Sequence, residues 1–170
     1  MRIEAGPRTD LFVDPQGAAP MLNASTSLSR ADGMFQLSAR VHVEFAETFD
    51  AGVLLVWFDE RTWAKLCLEY SPAHVPMVVS VVTRDVSDDC NSFEVDGNTL
   101  WLRITRSGAA WAFHASADGE WWRLLRYFTL GGGLVRAGFL AQSPTGEGCA
   151  ATFDHITFRP GAPADLRDGS

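Results

Sequence analysis

The side chains with the most chemical reach sit at alternate positions of short apolar runs. In the run 63–70, Trp63, Lys65, Cys67 and Glu69 share one face and Leu66, Leu68 and Tyr70 the other, because successive side chains of an extended chain point to opposite sides. The run 100–106 repeats the pattern, with Leu100, Leu102 and Ile104 opposing Trp101, Arg103 and Thr105. In 77–84, Met77, Val79, Val81 and Thr83 oppose Val78, Ser80, Val82 and Arg84. An apolar face backed by one that mixes tryptophan with charge is what a ligand groove on a sheet requires. Trp63, Lys65, Glu69, Thr83, Trp101, Arg103 and Gln142 therefore form the candidate ligand-binding set, joined by Asp10 as a carboxylate that could face Glu69 across the sheet. A tryptophan ring would cover the C–H face of a sugar, while Lys65, Glu69, Arg103 and Gln142 would bridge its hydroxyls. The competing explanation is structural. Lys65, Glu69 and Arg103 would form cross-strand ion pairs worth about 0.2–1 kcal/mol each, with the tryptophans packed under a loop.

Other chemistries fit the residues less well. Glycosidases need two carboxyl groups about 5–5.5 Å apart to retain configuration and about 6.5–9.5 Å apart to invert it. Residues i and i+2 of one strand are about 6.5–7 Å apart, but no Glu-x-Asp-x-x-Glu alternation exists here. Glu69 is the only carboxylate within 63–70, and Asp59 and Glu60 lie in the turn before it. No Gly-x-Ser-x-Gly elbow appears, and His42, His74, His114 and His155 stand isolated as packed or solvated residues. Asp85, Ser87, Asp88 and Asp89 offer oxygen ligands for calcium, but their spacing does not match a calcium loop and reads as an acidic turn with Asx hydrogen bonds. No CxxC or HxxxH pair suggests zinc. No catalytic residue, metal or cofactor is expected.

The elements that must position these groups are strands. Runs at 1–4, 34–45, 51–58, 63–70, 77–84, 100–106, 110–116, 121–128, 134–142 and 150–158 are separated by turn signals such as Asp32-Gly33, Asp96-Gly97-Asn98, Ser107-Gly108 and Gly131-Gly132-Gly133. Such spacing predicts an all-β fold, two antiparallel sheets packed as a sandwich. The segment 11–30, rich in Pro, Ala and Ser, reads as a long loop. Asp118-Gly119 fits a type I′ hairpin turn, with Trp122 packing in the core. One domain is expected over residues 1–158, with 159–170 a disordered tail.

Composition narrows the partners. The formal charge of −7 comes with scattered basic residues, so phosphate backbones and anionic lipid are repelled and neither nucleic acid nor membrane is expected. The longest apolar stretch, Ala51 to Phe58, is strand-length and far short of the roughly 18 residues of a spanning helix. The N-terminal Met1-Arg2-Ile3-Glu4-Ala5-Gly6-Pro7 has no apolar export core, and a cytoplasmic location is expected. Three widely spaced cysteines, Cys67, Cys90 and Cys149, do not form a disulfide framework.

Several blocks carry a family resemblance. Gly52-Val53-Leu54-Leu55-Val56-Trp57 precedes Trp63-Ala64-Lys65-Leu66-Cys67-Leu68-Glu69-Tyr70. Ser80-Val81-Val82-Thr83-Arg84-Asp85-Val86-Ser87-Asp88 follows, then Trp101-Leu102-Arg103 and Ser116-Ala117-Asp118-Gly119-Glu120-Trp121-Trp122. Val135-Arg136-Ala137-Gly138-Phe139-Leu140-Ala141-Gln142-Ser143-Pro144 closes the series. Together, over about residues 3–158, they resemble the DUF1349 family, with Leu11-Phe12 where that family has Phe-Trp. The resemblance implies a concanavalin A-like jelly-roll sandwich. It also implies kinship with the accessory β-sandwich of some β-xylosidases and with a yeast protein linked to regulation of enolase. The combined expectation is a non-catalytic binding module taking carbohydrate or a small metabolite on a concave sheet face. The alternatives are a protein-interaction domain that regulates a metabolic enzyme and a glycoside hydrolase-like enzyme.

Overall fold

The computed structural model describes residues 1–131, 133–167 and 169–170. Gly132, in the expected triple-glycine turn, and Asp168, in the expected tail, lie outside the described residues. The described chain forms strands β1 (Arg2–Ala5), β2 (Leu11–Phe12), β3 (Met21–Leu22), β4 (Ser25–Arg30), β5 (Phe35–Glu44), β6 (Ala51–Asp59) and β7 (Thr62–Tyr70). It continues with β8 (Pro76–Arg84), β9 (Val86–Glu94), β10 (Thr99–Ser107), β11 (Ala110–Ser116), β12 (Arg123–Thr129), β13 (Arg136–Gln142) and β14 (Cys149–Pro160). Two six-stranded sheets result, a first in the order β1-β14-β5-β10-β11-β12 and a second in the order β4-β13-β6-β7-β8-β9. Every named pairing is antiparallel. The chain is an all-β sandwich of two antiparallel sheets.

Alternation decides what each sheet buries. Leu37, Ala39 and Val41 of β5, Leu102 and Ile104 of β10 and Phe113 of β11 meet Leu54 and Val56 of β6 and Leu66 and Leu68 of β7 in one core between the sheets. Each such side chain contributes about 1.5–3 kcal/mol when removed from water. Gly52 on β6 marks a close approach of the sheets: a Cβ there would lie 2.7 Å from Val41 and 2.9 Å from Val43.

The second sheet is buried on its outer face as well. Val53, Leu55, Trp63, Cys67, Val79, Val81 and Leu140 form a second apolar layer beneath Leu11, with Phe12 and Val13 packed against it. This corrects the reading of 11–30 as loop. β2 and β3 pair as a short hairpin, and β4 forms an edge strand on β13. The Val13 N–H donates to Ser87 Oγ at 2.9 Å, and the Ser87 N–H donates to the Val13 carbonyl at 3.0 Å, pinning the cover to β9. The sequence of β4, Ser-Thr-Ser-Leu-Ser-Arg, has no apolar alternation because an edge strand is held by its backbone.

Two further expectations change, in the 117–122 connection and in the tail. The acidic segment after residue 84 is the turn of a tight hairpin: Asp85 takes φ 66° at its tip, and β9 runs back along β8. Strand geometry then disperses the cluster, with Asp85 paired to Arg61, Asp88 to Arg126 at 3.0 Å, and the Ser87 hydroxyl bonded to Thr83 at 2.9 Å. Among the described residues no group of acidic, histidine and cysteine side chains is disposed to hold a metal. The 117–122 connection is not a type I′ turn, since only Gly119 has positive φ, 81°. The Asp118 carboxylate instead accepts the N–H groups of Glu120 and Trp121 at 2.9 Å each. This longer loop leaves Trp122 half-buried on the outer face of the first sheet, against Arg103, and not in the core. In place of a disordered stretch from 159, β14 runs to Pro160, and the carbonyls of Leu166 and Gly169 accept from His114 and Arg103.

Candidate ligand site

Strand pairing sets two rows of side chains on the outer face of the second sheet. Gln142 of β13, Ala51 of β6 and Glu69 of β7 make one row. Lys65 of β7, Val81 of β8 and Asp89 of β9 make the other. Asp10 and Phe12 overhang them from the β2–β3 cover, and Phe49 closes the side from the loop before β6. The result is a hollow of about 170 Å³.

Lys65 organises this hollow. Its side chain is 2 % exposed, and its ammonium donates to Gln142 Oε1 at 2.9 Å and to Asp10 Oδ1 at 3.3 Å. Gln142 turns its Nε2 to the Phe49 carbonyl at 3.4 Å, which fixes the amide with its oxygen toward the lysine. An ammonium has three donors, so among the described residues one remains beyond these two contacts. Burial works against the charge more than any one neighbour favours it, but Asp10, Cys67 and Glu69 together outweigh burial and hold the Lys65 pKa above its ordinary value.

Glu69 behaves in the opposite way. Burial pushes its pKa from 4.5 to about 8, with Lys65 opposing and Asp89 and Asp10 adding to the rise. At neutral pH the group is then mostly an uncharged acid, able both to donate and to accept. Asp89 is raised too, chiefly by burial. A hydroxyl donates and accepts at once, so an ammonium, a neutral acid, an amide and two further carboxyl groups around Phe12 and Phe49 suit a polyhydroxylated ring.

The predicted site residues divide. Lys65, Glu69, Gln142 and Asp10 come together. Trp63 shares their face but is fully buried under the cover, with its Nε1 unpartnered among the described residues, so its ring offers no surface for stacking. Thr83 is also fully buried, and its hydroxyl serves the Ser87 contact. Trp101 and Arg103 belong to β10 of the first sheet and point away from the core on the opposite side of the molecule, so one groove cannot hold them with Lys65. Alternation correctly sets Trp101 and Arg103 away from Leu102, but it carries no information about which sheet a strand joins. Phe12, Phe49, Val81 and Asp89 complete the hollow. Asp89 could have been found by reading Ser87 to Glu94 as a strand folded back at Asp85, which sets it opposite Val81; no sequence signal marks Phe49.

With this geometry in place, comparison supplies the family. A family model described as a protein of unknown function, DUF1349, matches residues 1–161. The chain belongs to the DUF1349 family. A relative from Saccharomyces cerevisiae, "Regulation of enolase protein 1", is 28% identical to this DUF1349 chain over 93 residues, 54% of the chain and 46% of the relative. The match thus spans about half the length of that curated relative. A solved structure of a functionally unknown protein from S. cerevisiae superposes with a TM-score of 0.87 at 22% identity, over 94% of this chain and 86% of that one. The GH43 protein BlXynB from Bacillus licheniformis matches with a TM-score of 0.72 at 15% identity, over 94% of this chain but 32% of the other. These likenesses fix the DUF1349 fold as one that also occurs as part of larger proteins.

Proposed function

We propose that this chain is a non-catalytic binding module that takes a single hydroxyl-rich ring, a sugar or small polyol, in the hollow beside Lys65. The observation that carries the reading is a buried ammonium with, among the described residues, two of its three donors engaged, next to a carboxyl group, Glu69, whose pKa is pushed up to about 8. Drug-sized pockets run to about 300–1,000 Å³, so a hollow of about 170 Å³ suits one ring. Calorimetry and thermal shift with neutral monosaccharides test it. At least one should bind and, at one hundred times its dissociation constant, add about 2.7 kcal/mol of stability. Phe49→Ala and Glu69→Gln should each weaken binding about tenfold, one well-made contact being worth that much, while the circular dichroism spectrum is kept. Silence from every neutral sugar, or affinity untouched by both substitutions, removes the reading.

Two other readings each have an observation behind them. A glycoside-active enzyme is favoured by Glu69 as a raised acid beside Asp10 and Asp89; hydrolysis of an aryl glycoside that disappears in Glu69→Gln would establish it. A protein-interaction role in regulating a metabolic enzyme is favoured by the name of the yeast relative. The exposed Phe158 and Ile156 would serve it, at 53% and 42% exposure.

A further inference from the structure

The hollow around Lys65 holds more acidic than basic groups. Asp10 from the segment before β2, Glu69 from β7 and Asp89 from β9 line it, against a single ammonium, Lys65. The Lys65 hydrogen bonds run to Asp10 at 3.3 Å and to Gln142 at 2.9 Å. Glu69 and Asp89 thus face the hollow with no second cation in its lining. Arg126, which also acts on Asp89, pairs with Asp88 at 3.0 Å. Gly132 and Asp168, outside the described residues, have no cationic side chain, so the acidic surplus does not depend on them.

Glu69 shows what that surplus does. It is 8% exposed, and its carboxyl group lines the hollow. Lys65 lies four residues earlier on the same face of β7, so the two backbone positions are about 13 Å apart. Cys67 stands between them as a neutral thiol, its pKa pushed well up by burial. Lys65 favours an ionised Glu69, but burial, with Asp89 and Asp10, prevails and pushes the Glu69 pKa up to about 8. A carboxyl group kept protonated in this way gives up its proton when a cation arrives, because a nearby opposite charge favours the ionised form. The two phenylalanines are divided in the same sense. Phe12 already has the Lys65 ammonium 5.9 Å from its ring centroid. Phe49 is anchored at the Glu69 end, its N–H donating to the Tyr70 carbonyl at 2.7 Å, and it is 37% exposed. An aromatic ring beside a carboxyl group suits an ammonium.

We propose that the ligand of this hollow is a hydroxyl-bearing ring that carries one protonated amine, an amino sugar, with its ammonium on Glu69 beside Phe49 and its hydroxyls toward Lys65 and Gln142. The proposal rests on the hollow being a ring-binding site and names the class of ring. Asp89 and Asp10 add to the field that draws the amine in, and the ionisation of Glu69 couples its binding to release of a proton.

The test titrates the full chain by calorimetry with glucosamine against glucose and galactosamine against galactose, at pH 7 and pH 6 and at one ionic strength. With Glu69 at about 8 and an ammonium lowering a neighbouring carboxyl group by about two units, the amine should be favoured about tenfold over its neutral partner at pH 7 and about twofold at pH 6. The sign follows from competition: proton and ammonium seek the same carboxylate, so the advantage fades as pH falls. Heats in buffers of different ionisation enthalpy should show roughly 0.8 of a proton released per amine bound at pH 7, and almost none for the neutral sugar. Glu69→Gln should bring the ratio of affinities close to one at both pH values, and Asp89→Asn, at the exposed rim, should lower it by a smaller factor. Should Glu69→Gln bind too weakly to measure, the proton count and the pH series of the parent chain decide. A neutral sugar that binds as tightly as its amine at pH 7, or an amine bound with no proton released, overturns the proposal and leaves the neutral-ring reading standing. Silence from all four sugars up to about 10 mM, weaker than any specific affinity at issue, overturns it together with that reading.

Discussion

Each outer face of the sandwich buries a cation, and the two surround it differently. On the second sheet, Lys65 sits among Asp10, Gln142, Glu69 and Asp89, roofed by the β2–β3 hairpin. On the first, Arg103 has a carbonyl, a tryptophan ring and a second arginine near it, and no carboxylate among the described residues. A paired buried charge is held by its partners, so removing one member is what destabilises. An unpaired buried charge burdens the fold by itself, so its removal relieves the fold. Among the described residues, the first arrangement reads as a charge held by polar side chains, the second as a charge held by a carbonyl and a ring.

The largest expected difference between the faces is in their response to pH. Glu69 titrates at about 8 in the fold against an ordinary 4.5, so between those values the native state holds a proton that the unfolded chain has lost. Stability should fall as pH rises through this window and level off above 8, by roughly 4–5 kcal/mol for an isolated group at about 1.4 kcal/mol per unit. His114, beside Arg103, has the reverse sign. Burial lowers it to about 4 from 6.5, so the unfolded chain takes up the proton first and stability falls as pH drops from 6.5 through 4, by roughly 3 kcal/mol. Urea denaturation across pH 4 to 9 should show the alkaline limb flattened in Glu69→Gln and the acid limb flattened in His114→Gln. If each variant alters the other's limb, the assignment of the two slopes to the two faces fails.

Next in size is removal of the cations themselves. Lys65→Met strands Asp10 and the Gln142 carbonyl in a largely buried hollow and should cost about 3 kcal/mol, toward the low end for a broken buried pair because Asp10 keeps some contact with water. Arg103→Met gives up the hydrogen bond to the Gly169 carbonyl together with an Nε that has no acceptor among the described residues, keeps an apolar stem on Trp122, and should fall within about 1 kcal/mol of the parent. Equal losses in chemical denaturation would mean that both faces are ordinary ion-pair surfaces.

This contrast was only partly legible in the residues. The facing of Leu66 and Leu68 away from Lys65 and Glu69, and of Leu102 and Ile104 away from Arg103, follows from a side-chain period of two and needs nothing but the strand. The partition of Trp63 and Lys65 from Trp101 and Arg103 does not. β7 and β10 belong to different sheets of the sandwich, a consequence of pairing between residues distant along the chain, such as β10 with β5. The cover over Trp63 was hidden for a different reason. β2 and β3 are two residues each and β4 is nearly all Ser and Thr, so edge pairing and backbone bonds form them without an apolar signature. Polar β9 escaped in the same way, and Asp89 with it. The bulge in β14 between Asp154 and Thr157, which re-aims Arg159, leaves no mark in composition at all.

The smallest effect tests how Arg103 is held. The Arg103 guanidinium carbon lies over the Trp122 ring, 4.3 Å from its centroid, so the ring face adds negative potential to that of the Gly169 carbonyl, an interaction worth about 0.5–1 kcal/mol. Trp122→Leu keeps apolar cover but loses that potential, so it should lower stability by about this much in the parent and by almost nothing in an Arg103→Met background, a difference that a double-mutant cycle reads directly. If the cost of Trp122→Leu is the same in both backgrounds, the ring is simple cover, and Arg103 is held by its backbone acceptor alone.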